Sequence, residues 1–252
     1  MDQIKKKVTI ITVVKNAENT LENCIKSVLS QNYNNLEYII VDGNSSDRTK
    51  EIINKYKNNI SRIITGDDDG IWDAMNKGIK LADGEIIGFL NSDDYYFNNT
   101  LEIVNDYFSK NNIDFLFGSV EKYKLMHGYS SWKIYFSFGF YTSHSVGFFI
   151  NRKKHLEVGL YNEKYLSADL DFFYKMIVKY KMKGIVSEKK EVFGKFAKGG
   201  FSSKINYIDH LLDLNKIRID NKQSSIIVYF LFFIKIIKKP IKFIKGIFDK
   251  LS

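Results

Sequence analysis

Across the first half of the chain, continuous apolar stretches alternate with stretches where apolar residues recur every third or fourth position. Residues 8–14 read as a buried strand, and Leu21, Ile25, Val28 and Leu29 then form a helical stripe capped at Asn19 or Thr20. A second strand is predicted at 38–41, a helix carrying Ile52, Ile53 and Tyr56 follows, and a third strand covers 62–65. Another helix runs from about 72 to 81, and a fourth strand at 86–90 ends at Asn91. This β-α-β-α-β-α-β order calls for an α/β, Rossmann-like fold with a mostly parallel sheet flanked by helices.

The second half is less regular. Strands are predicted at 114–119 and 147–151, with aromatic-rich chain between them, and a helix at 170–180. Residues 192–201 lead through the glycine pair Gly199-Gly200. No internal repeat or flexible linker interrupts the pattern, so one domain is expected over 1–215 and a helical tail over 216–252. Within the tail, 226–234 is an unbroken apolar run, well short of the ~20 residues that span a bilayer. Beyond it Pro240 splits a segment in which Ile241, Ile244, Phe248 and Leu251 share one helical face, with Lys242, Lys245 and Lys250 largely off it. An apolar stripe bordered by lysines is the pattern of a helix lying in a membrane interface. The alternative is a helix docked on the body with its lysines in solvent.

Composition sharpens the picture in three places. With 252 residues, 44% hydrophobic and 15% aromatic, the chain suits a packed globular core and not a disordered one. The single cysteine, Cys24, permits no internal disulfide and fits a reducing compartment. The net charge of +9 is uneven: six lysines and one aspartate between Ile226 and Ser252 contribute +5 of it. The apolar run at 8–14 is too short and too threonine-rich for a signal peptide, so a cytoplasmic protein, peripheral at the inner face of the plasma membrane, is expected.

Several chemistries are absent. Lys15-Asn16-Ala17-Glu18 stands where a G-x-G-x-x-G turn would follow the first strand. There is no phosphate-binding G-x-x-x-x-G-K-[ST] loop, no zinc spacing of Cys and His, and no G-x-S-x-G elbow. What remains is a row of polar residues at predicted strand ends: Thr12 and Val13, Asp42, then Asp67 to Asp69, then Asn91-Ser92-Asp93-Asp94. Ligands bind outside the carboxyl ends of strands in open α/β sheets. A carboxylate at Asp42 could accept the imide N–H of a uracil, and Asp93 and Asp94 could hold ribose hydroxyls and a metal bridging two phosphates.

These segments, 8–16, 41–49 and 91–94, resemble family 2 glycosyltransferases of the GT-A fold. The stretch 69–78, with 199–202, is similar to the bacterial branch that builds colanic-acid-like and other surface polysaccharides. The resemblance covers roughly residues 8–203. It implies an inverting transfer from a nucleotide sugar, usually UDP-linked, to a hydroxyl of a lipid-linked glycan, with Mn²⁺ or Mg²⁺. Thr12, Val13, Asp42, Asp68, Asn76, Asn91, Ser92 and Asp93 would then contact the nucleotide sugar, and Asp93 or Asp94 the metal. Asn91 departs from the family's commoner acidic residue. Asp169 matches the general-base position, with Asp171 the next candidate and a helix N-cap the bland alternative for Asp169. His144, Gly199 and Gly200 would face acceptor or phosphate, and no site residue is expected beyond Ser202.

Two rival classes fit the sequence less well. A sugar-1-phosphate nucleotidyltransferase should carry a glycine-rich arginine loop after the first strand, and none is present. A non-catalytic basic protein binding nucleic acid or anionic membrane should line a groove with positive charge, whereas the predicted strand ends are acidic.

Overall fold

The computed structural model describes residues 5–136, 140–197 and 205–251. Four strands, β1 (Val8–Val14), β2 (Leu36–Asp42), β3 (Arg62–Thr65) and β4 (Ile86–Phe89), alternate with helices α1 (Leu21–Leu29), α2 (Thr49–Lys55) and α3 (Ile71–Leu81). β1 lies between β2 and β4, parallel to both, with Val8 opposite Leu36 and Val14 opposite Asp42. β3 extends the parallel set from β2. Alternate residues of β1 therefore face opposite layers. Ile11 and Val13 pack with Ala74, Met75 and Ile79 of α3, while Val8 and Ile10 pack with Leu21, Ile25 and Val28 of α1.

The seven-stranded sheet is completed by β6 (Phe115–Phe117), β9 (Phe148–Asn151) and β10 (Gly184–Val186), in the order β10-β6-β9-β4-β1-β2-β3. β9 is antiparallel to both its neighbours. The strand predicted at 114–119 divides at Gly118. Its first part is β6; its second is β7 (Ser119–Glu121), which joins a separate small sheet with β5 (Tyr95–Tyr96), β8 (Leu125–Met126) and β11 (Val192–Lys195). Gly118 is needed at the crossing, because a Cβ there would sit 2.1 Å from a ring carbon of Phe193.

After α4 (Thr100–Lys110) and α5 (Arg152–Val158), α6 (Ala168–Tyr174) begins two residues earlier than predicted and continues as a π turn, Lys175–Lys179. The C-terminal part forms α7 (Tyr207–Asp220), α8 (Ser225–Lys238) and α9 (Pro240–Leu251). The expected boundary between residues 215 and 216 falls inside α7. That helix is anchored by the buried guanidinium of Arg218, which donates to the carbonyls of Ile134 (3.1 Å) and Tyr135 (2.5 Å) and to the Gln223 side chain. Among the described residues no helix is long and apolar enough to cross a membrane.

Candidate active site

Parallel strands deliver their carboxyl ends to one edge of the sheet, and there a cleft of about 1900 Å³ opens. This exceeds the roughly 300–1,000 Å³ of a pocket for one small ligand. Its floor is Val13 to Asn16 after β1 and Asn91, Ser92 and Asp93 after β4. One wall is Asp68 and the start of α3; another is the loop 140–145 with the start of α6, including Asp169.

The loop after β2 works mainly as a staple. Ser45 Oγ, Thr49 Oγ1 and Asp47 Oδ2 accept the backbone N–H groups of Asn16, Ala17 and Glu18, at 2.9, 2.8 and 3.1 Å. Asp42 is fully buried; its Oδ1 accepts both the N–H (3.1 Å) and hydroxyl (2.5 Å) of Ser45, and its Oδ2 has no partner among the described residues. Asp68 lies over the neighbouring Gly43, where a Cβ would meet its Oδ2 at 2.0 Å.

Four expected contacts lie away from the cleft surface, the buried Asp42 being the first. Thr12 is buried between the Tyr38 hydroxyl (3.1 Å) and Cys24 Sγ (3.8 Å), because even-numbered β1 residues face the α1 layer. Asn76 is a clamp between α3 and the loop before α6. Its amide donates to the Tyr161 carbonyl (2.9 Å) and Glu163 (2.8 Å), and its Oδ1 accepts the Tyr161 N–H (2.9 Å). Asp94 is buried with both oxygens engaged, by Ala197 N–H and Ser145 Oγ, each at 2.8 Å. Burial and then the charge of Asp93 push its carboxyl up to about 7. Asp94 thus ties the end of β4 to the chain after β11 and to the 140–145 loop. Val13, Asn91, Ser92, Asp93, Asp68 and His144 do line the cleft, while Gly199 and Gly200 lie outside the described residues.

Asp93 is half-buried, and desolvation raises its pKa. Beside it, Asn91 Oδ1 is buried without a hydrogen-bond partner among the described residues. Among the described residues no three His, Cys, Asp or Glu side chains form a metal cage. One carboxylate next to an unsatisfied amide oxygen does fit a hard cation that arrives with phosphate oxygens, the usual mode for Mg²⁺.

Asp169 is not the helix cap: Ser167 holds that position, and Asp169 stands in the first turn of α6. Its Oδ2 accepts the Tyr141 hydroxyl at 2.9 Å. Burial raises its pKa, opposed by that hydrogen bond, the Leu170 N–H and the nearby His210. Asp171 is buried and committed elsewhere, to Lys175 (2.7 Å) and Asn221 (2.7 Å). His144 stacks between Phe89 and Phe148, meets the Tyr161 hydroxyl at 2.7 Å, and is held neutral by burial, its pKa down to about 3.

Sequence reasoning missed Tyr141, which holds Asp169, and Ser145, which holds the buried Asp94, and nothing in their local pattern distinguishes them from packing residues. The lining of the cleft also continues past Ser202. His210 of α7 and Lys235, Lys238, Lys239, Lys242 and Lys245 of α8 and α9 all line the same cleft.

A mostly parallel sheet with carboxylates gathered at its C-terminal edge is the arrangement of the GT-A fold, and the family is shown by similarity to known proteins. The sequence profile of Glycosyl transferase family 2 matches residues 9–166, and the chain belongs to that family. It is 37% identical over 115 residues to the Escherichia coli UDP-Glc:alpha-D-GlcNAc-diphosphoundecaprenol beta-1,3-glucosyltransferase WfgD, covering 45% of this chain and 46% of that one. It is 44% identical over 92 residues to WfaP of the same description and organism, covering 35% and 36%. The match thus spans less than half the length of these curated relatives. Among solved structures, S. aureus TarS 1-349 in complex with UDP-GlcNAc superposes with a TM-score of 0.71 at 18% identity, covering 90% of this chain and 70% of that one. A mannosyltransferase from Pyrobaculum calidifontis in complex with GDP-Man and Mn²⁺ gives 0.65 at 15% identity, covering 90% and 69%.

Proposed function

We propose that the protein transfers a sugar from a UDP-linked donor to a hydroxyl of a lipid-linked glycan, inverting the anomeric centre, in bacterial surface polysaccharide synthesis. The observation that carries this reading is the placing of Asp93 and Asp169 on one cleft, from opposite parts of the fold. Asp93 suits the donor side, with Asn91, Ser92, Val13 and Asp68 around the nucleotide and the buried Asp42 behind them. A divalent cation bound at Asp93 would supply charge neutralisation for the departing diphosphate.

Asp169 suits the acceptor side. Its raised pKa makes it a better proton acceptor than an ordinary carboxylate, and Tyr141 holds its orientation. Removing the acceptor proton as that oxygen attacks the anomeric carbon gives a single displacement, and hence inversion. Neutral His144 lines the same cleft, its ring stacked between Phe89 and Phe148 and one ring nitrogen bonded to the Tyr161 hydroxyl. A lipid-linked acceptor suits the two relatives described as acting on a diphosphoundecaprenol carrier. The outward apolar faces of α8 and α9 suit peripheral contact with the inner face of the plasma membrane.

The test is a donor panel: nucleotide release from UDP- and GDP-sugars with Mn²⁺ or Mg²⁺, with and without a GlcNAc-diphospholipid acceptor. Acceptor-dependent release from a UDP-sugar is expected. Release from none of them would overturn the reading.

A further inference from the structure

The two C-terminal helices each leave an apolar face outward. An amphipathic helix on a soluble body normally turns its apolar stripe inward. In α8 the residues Ile226, Phe230, Phe233 and Ile237, spaced four, three and four apart, are 82, 64, 67 and 71% exposed. On α9 the same is true of Ile241, Ile244 and Phe248, while Lys242 and Lys245 line the cleft. The orientation is pinned by contacts with α7. Val228 and Leu231 are buried, the Tyr207 hydroxyl donates to the Lys235 carbonyl (2.9 Å), and Asn206 donates to the carbonyl of the buried Gly246 (3.1 Å). Lys250 pairs with Asp209.

Among the described residues, one wall of the cleft therefore carries the exposed Lys239, Lys242 and Lys245, with Lys235 and Lys238 beside them and one exposed carboxylate, Asp249. Positive charge is crowded there: burial first, then Arg218 and Lys239, bring the Lys235 amine down to about 8. Such a wall favours a compact multivalent anion. The donor's own diphosphate belongs at the other end of the cleft, by Asp93.

We infer that the lysine wall of α8 and α9 is the subsite for the diphosphate of a lipid-linked acceptor. The outer faces of the same helices lie in the bilayer surface and set the depth at which that diphosphate is met. This rests on the acceptor class proposed above. It makes the tail part of the active site instead of a detachable anchor.

The experiment measures binding of farnesyl diphosphate in neutral detergent micelles to the full chain, with saturating UDP and Mn²⁺ present. The variant Lys239→Gln/Lys242→Gln/Lys245→Gln alters exposed side chains only. It should bind farnesyl diphosphate at least tenfold more weakly than the wild type while its UDP affinity stays within twofold. Equal binding by the two proteins, no binding by the wild type, or a loss of UDP affinity instead would each overturn the inference. So would phosphatidylglycerol competing as well as farnesyl diphosphate, since the wall would then read lipid headgroups. A wild type that binds the probe but transfers no sugar would sink the proposed activity and leave the anion site standing.

Discussion

At the scale of single residues, burial decides which carboxylates can do chemistry. Asp93 and Asp94 are neighbours of identical type, yet Asp94 has both oxygens engaged and Asp93 faces the cleft. Asp169 must be ionised to take a proton, so its raised pKa places the acidic limb of kcat/KM above the ordinary carboxylate range. Tyr141 lowers that pKa by donating to the carboxylate; Tyr141→Phe should therefore move the acidic limb to higher pH. Matched pH–rate profiles check this, and an unmoved limb would mean that another group titrates. A second residue prediction concerns stability. His155 is fully buried among Phe89, Tyr161 and Phe172, neither ring nitrogen has a partner among the described residues, and burial takes its pKa down to about 3. The unfolded chain binds this proton below about 6.5 and the folded one does not, so stability is full above that pH and is lost as pH falls toward 3. From pH 7 to 5 this one group should cost about 2 kcal/mol. Urea titrations should show His155→Leu losing less over that interval than the wild type; an equal loss would assign the acid sensitivity elsewhere.

At the scale of elements, Asn76 shows how a motif residue can serve the scaffold. Its three hydrogen bonds hold α3 to the loop that launches α6, and so hold the Asp169 helix against the nucleotide side. Asn76→Ala leaves the buried Tyr161 backbone groups unpaired and should destabilise by about 1–3 kcal/mol. UDP affinity should be unchanged; a selective loss of UDP binding at unaltered stability would return Asn76 to the nucleotide site. The elements of the first half were legible where they are long and periodic: β1, α1 and α3 lie within two residues of their predicted bounds. The second half was not. Strands of two or three residues, such as β5, β7 and β8, carry too few positions to show a period. The break at Gly118 depends on Phe193, far along the chain, and no local pattern records it. The strand edge and its acidic row were readable in the same way, while Tyr141, Ser145 and His210 reach the site only through tertiary packing.

For the whole molecule, the tail is the instructive case. Helical periodicity separates an apolar face from a lysine face but says nothing about which one meets the body. Here the lysines turn toward the cleft and the apolar residues away from it. Phe230→Ser/Phe233→Ser changes two exposed side chains and should release the protein from anionic vesicles in sedimentation while leaving its melting temperature within a few degrees. Raised salt should weaken binding of the intact protein only in part, because apolar burial is not screened. Retention of the double variant on vesicles would leave these faces without a membrane role.

The central claim is that Asp93 and Asp169 act on donor and acceptor across a single cleft. The most direct test is single-turnover sugar transfer by Asp169→Asn, with UDP affinity measured on the same preparation. The amide keeps the size of the side chain but cannot take the proton. The account predicts a rate lower by about 10²- to 10⁴-fold with UDP affinity unchanged. Near-normal transfer by the variant would contradict it.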